Sequence, residues 1–476
     1  MTQKVFSLDT QPGIQRDGTV FDKQFYNDGQ WVRFQRGRPR KILGYRVISD
    51  QLSGPSRGIW VNSQNAFTSI FSGYSDGLQE LTIDNNGIGA GVGDFALSNF
   101  TASPLNLWQF DGFYDVAGTG LQSIVAHPGQ NLSSIDNSTN TPVLIGDITG
   151  LNMSQVGVFT DSVTTTALSN TVTLAAANPL IGAGQTITGT GIPANTTVVS
   201  VVTTTVTISN NATASGTVTA TFNNNVSVSG GLVSLHPYLF VYGNNGLIKN
   251  CSAGNAQDWV SADANETNVA TGKIVQGLPV RGGSNAPSGL FWSLDSVIRV
   301  SFIGGTGTPP QYWRYDIISS QSSILSSQSA IEYDGIYYWC GVDRFLLYNG
   351  VVKEIPNNMN QNYFFDNLNY EQRQKVWVTK VPRYGEIWWF YPRGDSTECN
   401  DAIIYNVREN TWYDAGQALG ARRSAGYFSQ VFAYPVAANW DTSEAETVFT
   451  DTFNEVSGSE FLYLDTYNSQ VAIGQV

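Results

Sequence analysis

Ile387-Trp388-Trp389-Phe390-Tyr391, followed by Trp412, is the fullest copy of a phrase that recurs through the second half of this chain. An aromatic-rich strand leads through a turn to an aliphatic strand and a late Trp, so each copy reads as one small antiparallel sheet. Upstream, Tyr238-Leu239-Phe240-Val241-Tyr242 leads to Trp259, and Phe291-Trp292-Ser293 leads to Trp313. Between them and the opening copy, Ile336-Tyr337-Tyr338-Trp339 runs to Phe345-Leu346-Leu347-Tyr348 and lacks the late Trp. The aromatic starts at Tyr238, Phe291, Tyr337 and Trp388 recur about every 50 residues, the period range of propeller blades and solenoids. A radial stack of such sheets is a β-propeller, so the expected fold class is all-β.

Composition agrees. The 476 residues include 48 Gly, with abundant Asn, Ser and Thr for tight turns. Aromatic residues make up 12% and charged residues only 13%, proportions that a disordered chain would invert. Helical periodicity is confined to Met359 to Leu368 and Tyr370 to Val376, which read as connectors. The net charge of −13 argues against a protein that grips nucleic acid with its whole surface, because phosphate binding draws on clustered Lys and Arg. Cys251, Cys340 and Cys399 are widely spaced and outside any CxxC pattern, so they read as small buried hydrophobes. No stretch approaches the roughly 20 apolar residues that span a bilayer, and Met1-Thr2-Gln3-Lys4-Val5 opens no signal peptide. The expectation is a soluble protein made in a cytoplasm, without a membrane anchor.

From Ser162 to Leu235 there is no Asp, Glu, Lys or Arg. That shift marks an inserted module, and the alternation in Thr171-Val172-Thr173-Leu174, Thr205-Val206-Thr207-Ile208 and Thr217-Val218-Thr219-Ala220-Thr221-Phe222 predicts half-buried strands of a small β-sandwich or similar sheet. Through Gly184-Gln185-Thr186-Ile187-Thr188-Gly189-Thr190-Gly191-Ile192-Pro193 it resembles the Thr-rich immunoglobulin-like decorations inserted into many phage structural proteins. Removing it repairs the repeat: Ser123-Ile124-Val125-Ala126-His127 and Leu132 to Ile135 then stand about one period before Tyr238. An earlier unit begins near Thr68-Ser69-Ile70-Phe71, and Tyr427 to Tyr434 with Phe461-Leu462-Tyr463-Leu464 form a last one. The count is six or seven blades, seven preferred, and ring closure calls for a strand from the N-terminal region in a C-terminal blade. The chain thus divides into an N-terminal arm and propeller-closing segment with a basic loop (1–56), a first propeller part (57–161), the module (162–232) and a second propeller part (233–476).

Motifs for chemistry are sparse. Gly272-Lys273 lacks the flanking residues of a P-loop, and neither Gly87, Gly89, Gly91 and Gly93 nor Gly189-Thr190-Gly191 opens a helix. With only His127 and His236, a histidine triad or metal cluster has little raw material, so no catalytic residue, metal or cofactor is expected. Asp334-Gly335, and Asp395 in Arg393-Gly394-Asp395, read as turns. Basic residues concentrate once: Arg33, Arg36, Arg38, Arg40, Lys41 and Arg46 form the candidate partner contact, an electrostatic surface for an acidic partner or passing DNA.

Several segments together resemble one family. Ile355-Pro356-Asn357-Asn358-Met359-Asn360, Phe364-Phe365-Asp366-Asn367-Leu368-Asn369, Gln372 to Val376, Glu386-Ile387-Trp388-Trp389-Phe390-Tyr391-Pro392, and Asn400-Asp401-Ala402-Ile403-Ile404-Tyr405-Asn406 before Thr411-Trp412-Tyr413 look like the tail nozzle, or packaged-DNA stabilisation, proteins of short-tailed bacteriophages. Arg16-Asp17-Gly18-Thr19 and Trp31-Val32-Arg33-Phe34 to Gly37-Arg38-Pro39-Arg40-Lys41 are similar to that family's N-terminus. The resemblance covers most of the chain outside the module. It implies a non-enzymatic structural protein of the virion tail, synthesised in the host cytoplasm. Such proteins form homo-oligomeric rings, typically of six subunits, below the portal and its adaptor (the head-to-tail connector), and conduct and retain the genome until ejection. DNA would pass through the lumen without sequence-specific binding. Partners would be the adaptor and tail fibres or tailspikes, with the basic residues facing the adaptor or a neighbouring subunit and the module projecting outward to a fibre or host glycan. Alternatives from other classes are another virion scaffold, a lectin-like propeller that binds host glycans, and a propeller glycosidase.

Overall fold

The computed structural model describes residues 10–464, apart from 97–104, 130–142, 145–157, 441–460 and shorter stretches of up to five residues. Seven small antiparallel sheets stand around one axis. Blade 1 comprises Gly58–Asn62, Thr68–Gly73, Gly77–Ile83 and Gly89–Ala96, and blade 2 comprises Gln109–Asp115, Leu121–His127 and Val143–Leu144. Blades 3 to 6 have four strands each and begin at Gly231–Leu235, Ile274–Pro279, Ala330–Tyr333 and Trp377–Val381. Blade 7 holds Arg423–Phe428, Pro435–Asn439 and Phe461–Leu464. The first strands of successive blades are neighbours all the way round, and Arg423–Phe428 returns to Gly58–Asn62. The fold is therefore a β-propeller, with the higher of the two expected blade numbers.

Closure follows the expected route. Arg46–Val47, from the N-terminal region, adds antiparallel to Phe461–Leu464 as the outer strand of blade 7, with Tyr463 opposite Val47. The two ends of the chain thus share one sheet, and blade 7 gains a fourth strand. The connectors are also as read: a helix at Gln361–Asn367 and a 3-10 turn at Tyr370–Lys375 join blades 5 and 6. Asp334 and Gly335 both take positive φ, 52° and 77°, in the two-residue hairpin turn of blade 5.

The recurring aromatic strand is the second strand of blades 3 to 6, not the first, and lies between sheets rather than on the axis. Phe240 meets Phe291 at 5.8 Å between blades 3 and 4, Trp292 meets Trp339 at 5.7 Å between 4 and 5, and Phe345 meets Trp389 at 5.1 Å between 5 and 6. Each late Trp reaches back to the preceding blade. Trp313 stands edge-on to Phe240 at 4.8 Å, Trp412 lies 4.8 Å from Phe345, and Trp259 joins Phe113 and Val125 of blade 2. Blade 5, without that Trp, presents Tyr337, Leu346 and Tyr348 to the core it shares with blade 4. These contacts make the aromatic phrase a blade-stacking device.

The module emerges between blades 2 and 3. Its strands run from Val158–Thr165 to Gly216–Asn223, so it begins just before the uncharged stretch, while Gly231–Leu235 belongs to blade 3. In place of two packed sheets it is a single six-stranded sheet, nearly closed by a bridge between Thr186 and Thr197. Val163, Val172, Ile187, Val206, Ile208 and Phe222 fill the interior. Curling one sheet on itself covers this small aliphatic set and brings its edges together, which an open pair of short sheets does not. The expected strand at Leu132 to Ile135 lies outside the described residues.

Candidate functional site

The first strands of all seven blades line a central cavity of about 560 Å³. At the end where these strands begin, Gln328 crosses the axis. Its side-chain amide donates to the carbonyls of Arg57 at 2.8 Å and Trp108 at 2.9 Å, joining blade 5 to blades 1 and 2 on the opposite side of the ring. The bridge crosses the channel at that end, so the cavity is a cup rather than an open bore for anything as wide as a duplex. Neighbouring walls are tied by a second amide: Gln276 donates to Ala330 O at 2.9 Å and accepts from Ala330 N at 3.1 Å.

Towards the other end the lining carries two acids and two bases. The Asp111 carboxylate accepts from the backbone N–H of Gly112 and of Ser234, each at 2.8 Å, yet burial raises its pKa to about 6. Glu332 accepts from Lys380 at 3.3 Å and lies 4.0 Å from Arg281, whose side chain is 70% exposed at the mouth. Burial works against the Glu332 charge, but the Gly335 N–H and Lys380 outweigh it and hold the carboxyl below the usual range. Trp60 and Tyr427 pack 4.9 Å apart on the wall. Thr379, only 3% exposed, and Ser327, beside the Gln328 bridge, belong to the same wall, but their hydroxyls are buried within it and have no hydrogen-bond partner. Sequence reading missed this group because its members come from six blades, and no local spacing links them.

The basic cluster divides. Arg36 and Gly37 form the positive-φ turn of a hairpin, Val32–Gln35 paired with Arg38–Lys41, and their N–H groups are held by the Glu409 carboxylate. Arg36, Arg38, Arg40 and Lys41 are exposed there. Arg383 and Arg408, also exposed, stand on the blade 6 loops beneath the hairpin and extend the basic surface; they were missed because they are remote in sequence. One member of the predicted contact is buried, and the side chain of another is not described. Arg33 is 1% exposed, bonded to buried Glu386 at 3.1 Å with its guanidinium 3.6 Å over the Tyr384 ring, because this part of the hairpin packs onto blade 6. Arg46 is in the closing strand of blade 7 and off the hairpin; its side chain lies outside the described residues.

Arg33 is one of several ties between the N-terminal arm and blade 6. Arg16 makes a paired contact with Asp414 at 2.8 and 2.9 Å, and the Asp17 carboxylate accepts from the N–H groups of Asn362 and Tyr363 at the start of the helix, at 2.8 and 2.9 Å. Trp31 stands edge-on to Trp388 at 5.8 Å, and Phe34 to Tyr413 at 5.4 Å. Gly13 takes φ 119° where any Cβ would strike Met359 and Thr411. Beneath the arm Asp401 is buried beside Asp414, and burial followed by that neighbouring charge raises its pKa to about 6. Arg393 pairs with Asp401 at 3.2 Å and covers the Tyr363 ring, so the charge of the Arg393-Gly394-Asp395 turn is used inside the fold.

His127 is buried, accepts from Gly129 N–H at 2.8 Å, and is kept neutral by burial, which lowers its pKa to about 3. All three cysteines are free and buried. Among the described residues no group of three or more His, Cys, Asp or Glu is placed to hold a metal ion, and no helix is long and apolar enough to cross a membrane.

No protein-family model matches the chain, and no curated protein matches it. Similar solved structures include a computationally designed protein, Ika8, at 9% identity and TM-score 0.36, covering 88% of this chain and 99% of that one. Raptor of Chaetomium thermophilum is 7% identical with TM-score 0.39, over 89% of this chain, which spans 29% of Raptor's length. BBS1N, from a complex with ARL6DN, is 6% identical with TM-score 0.39, over 89% of this chain and 97% of that one. The propeller assignment rests on this chain's own strand pairing and ring closure.

Proposed function

We propose that this chain is the subunit of a bacteriophage tail nozzle, a ring that extends the DNA path below the portal and adaptor and retains the genome until ejection. The observation that carries the reading is where the nozzle-like segments sit. Arg16-Asp17, Trp31 to Phe34 and the stretch from Ile355 to Tyr413, far apart in sequence, pack together as the arm, the helix and blade 6. A shared sequence pattern that folds into one contiguous unit is what a common assembly element requires.

On this reading DNA runs between subunits and not through the propeller, since the Gln328 bridge closes the cup and a duplex has a major groove alone about 12 Å wide. The net charge of −13 keeps the phosphate backbone sliding instead of sticking. The hairpin bearing Arg36, Arg38, Arg40 and Lys41 meets the adaptor or a neighbouring subunit, and the uncharged module projects outward to a fibre or tailspike. Head-to-tail contacts close into a ring when the rotation from one subunit to the next closes.

Negative-stain microscopy of the purified chain is expected to show six-fold rings, alone or with the adaptor. A monomer that hydrolyses polysaccharide would overturn the reading. Replacing Arg36, Arg38 and Arg40 together by Ala is expected to leave the fold intact, because these side chains are exposed, and to weaken assembly with a smaller dependence on salt than the native chain. Assembly unchanged at every salt concentration would remove the hairpin from the interface.

A further inference from the structure

We propose that the outer strand of blade 4, Gln311–Ser319, is a docking edge for a second copy of this chain, pairing antiparallel with itself about Tyr315. The strand reads Gln311-Tyr312-Trp313-Arg314-Tyr315-Asp316-Ile317-Ile318-Ser319, and complementary residue types stand at equal distances on either side of Tyr315. With Tyr315 opposite Tyr315, two copies set Arg314 against Asp316 twice and Trp313 against Ile317 twice. Opposite charges and aromatic–aliphatic pairs directly across a ladder are combinations that stabilise it. A slip of one residue would set Trp313 against Asp316 or Arg314 against Ile317, and a slip of two would oppose like charges, so the sequence specifies this register.

The edge is open to such a partner. Among the described strands only Val297–Thr306 pairs with it, and that ladder is regular from Trp313 to Ile317. Ile317 is 55% exposed, and the side chains of Arg314 and Asp316 are 67% and 38% exposed. Within the chain Arg314 donates to Asp316 through Nε at 2.9 Å, which leaves its terminal nitrogens for Asp316 of the second copy. The other described outer edges are short, covered or irregular. Val143–Leu144, Glu266–Asn268, Val352–Glu354 and Arg46–Val47 are two or three residues long. Thr411–Asp414 is buried beneath the N-terminal arm, where Thr411 donates to Pro12 O at 2.9 Å. Gly89–Ala96 is glycine-rich, and its pairing shifts register at Glu80 and Leu81. Nine residues of open edge with exposed apolar surface are what folded proteins otherwise blunt or cover.

This contact is isologous and joins two copies about a two-fold axis, whereas a ring is built head-to-tail. It does not rest on the nozzle reading.

Sedimentation velocity and light scattering on the full chain, from about 1 to about 100 μM, test it. The mass is expected to double with concentration, from monomer to dimer or from ring to paired rings, with a dissociation constant of about 10 μM or tighter. Arg314→Asp, which opposes like charges twice, is expected to weaken the doubling about tenfold or more. Arg314→Asp combined with Asp316→Arg restores both pairs and should return the affinity to within about threefold of native. Both positions are exposed, so thermal unfolding should stay within a few degrees of native in each variant. No doubling at the highest concentration, doubling indifferent to Arg314→Asp, or failure of the swapped pair to restore it would overturn the proposal. Six-fold rings that form but never pair would support the nozzle reading and overturn this contact.

Discussion

Glu386→Ala is expected to cost about 3–5 kcal/mol of stability, read as a lower denaturant midpoint, because it strips the counter-ion from a buried charge. Arg33 and Glu386 are 1% and 0% exposed. One carboxylate oxygen of Glu386 accepts from Arg33 at 3.1 Å and from Trp388 Nε1 at 2.9 Å, and the other accepts from the Tyr413 hydroxyl at 2.7 Å. Nε and Nη1 of Arg33 have no hydrogen-bond partner, so the Tyr384 ring would be the main remaining support for its charge. The same change loosens the hairpin, and trypsin should cut after Arg36 sooner than in the native chain. The double variant Arg33→Met with Glu386→Leu is expected to recover most of the loss, since replacing both members of a buried pair by apolar groups is far milder than removing one. A Glu386→Ala midpoint within error of native would show that the arm is not held by this pair.

Trp389→Ala is expected to destabilise by a similar amount, about 3–5 kcal/mol, through a cavity at the junction of blades 5 and 6. Trp389 is fully buried, its Nε1 donates to Ser329 O at 3.0 Å, and its ring touches Phe345 at 5.1 Å and Trp412 at 6.0 Å. Trp412 touches Phe345 as well, so the three rings form one unit across two blades. In a double-mutant cycle Trp389→Ala and Trp412→Ala should therefore be non-additive. Trp292→Ala, at the junction of blades 4 and 5, should add to Trp389→Ala, since the two rings belong to separate clusters. Full additivity of Trp389 and Trp412 would contradict the blade-stacking role.

Much of the propeller was legible because its signal is local and repeated. The Trp388 copy shows strand period and aromatic content within five residues, and the absence of charge from Ser162 to Leu235 marks the insertion without any structure. The basic hairpin was legible in part. Arg36, Arg38, Arg40 and Lys41 are exposed where expected, but Arg33 in the same run is buried, and strand alternation alone cannot say which side of a ribbon meets another blade. The module shows the same limit: alternating Thr and Val predict one covered face and not whether the cover is a second sheet or the same sheet curled round.

By itself, then, the sequence determined the all-β class, the repeat, the position of the module, and the need for an N-terminal strand to close the ring, because each rests on periodicity or composition within a short window. Tertiary structure alone decided the seven-fold ring, the union of the arm with blade 6 through Arg16, Asp17 and Arg33, and the cup closed by Gln328. Those features join residues hundreds of positions apart, such as Arg33 to Glu386 and Gln328 to Arg57. Their partners are chosen by how whole sheets stack around an axis, and no local pattern encodes that choice.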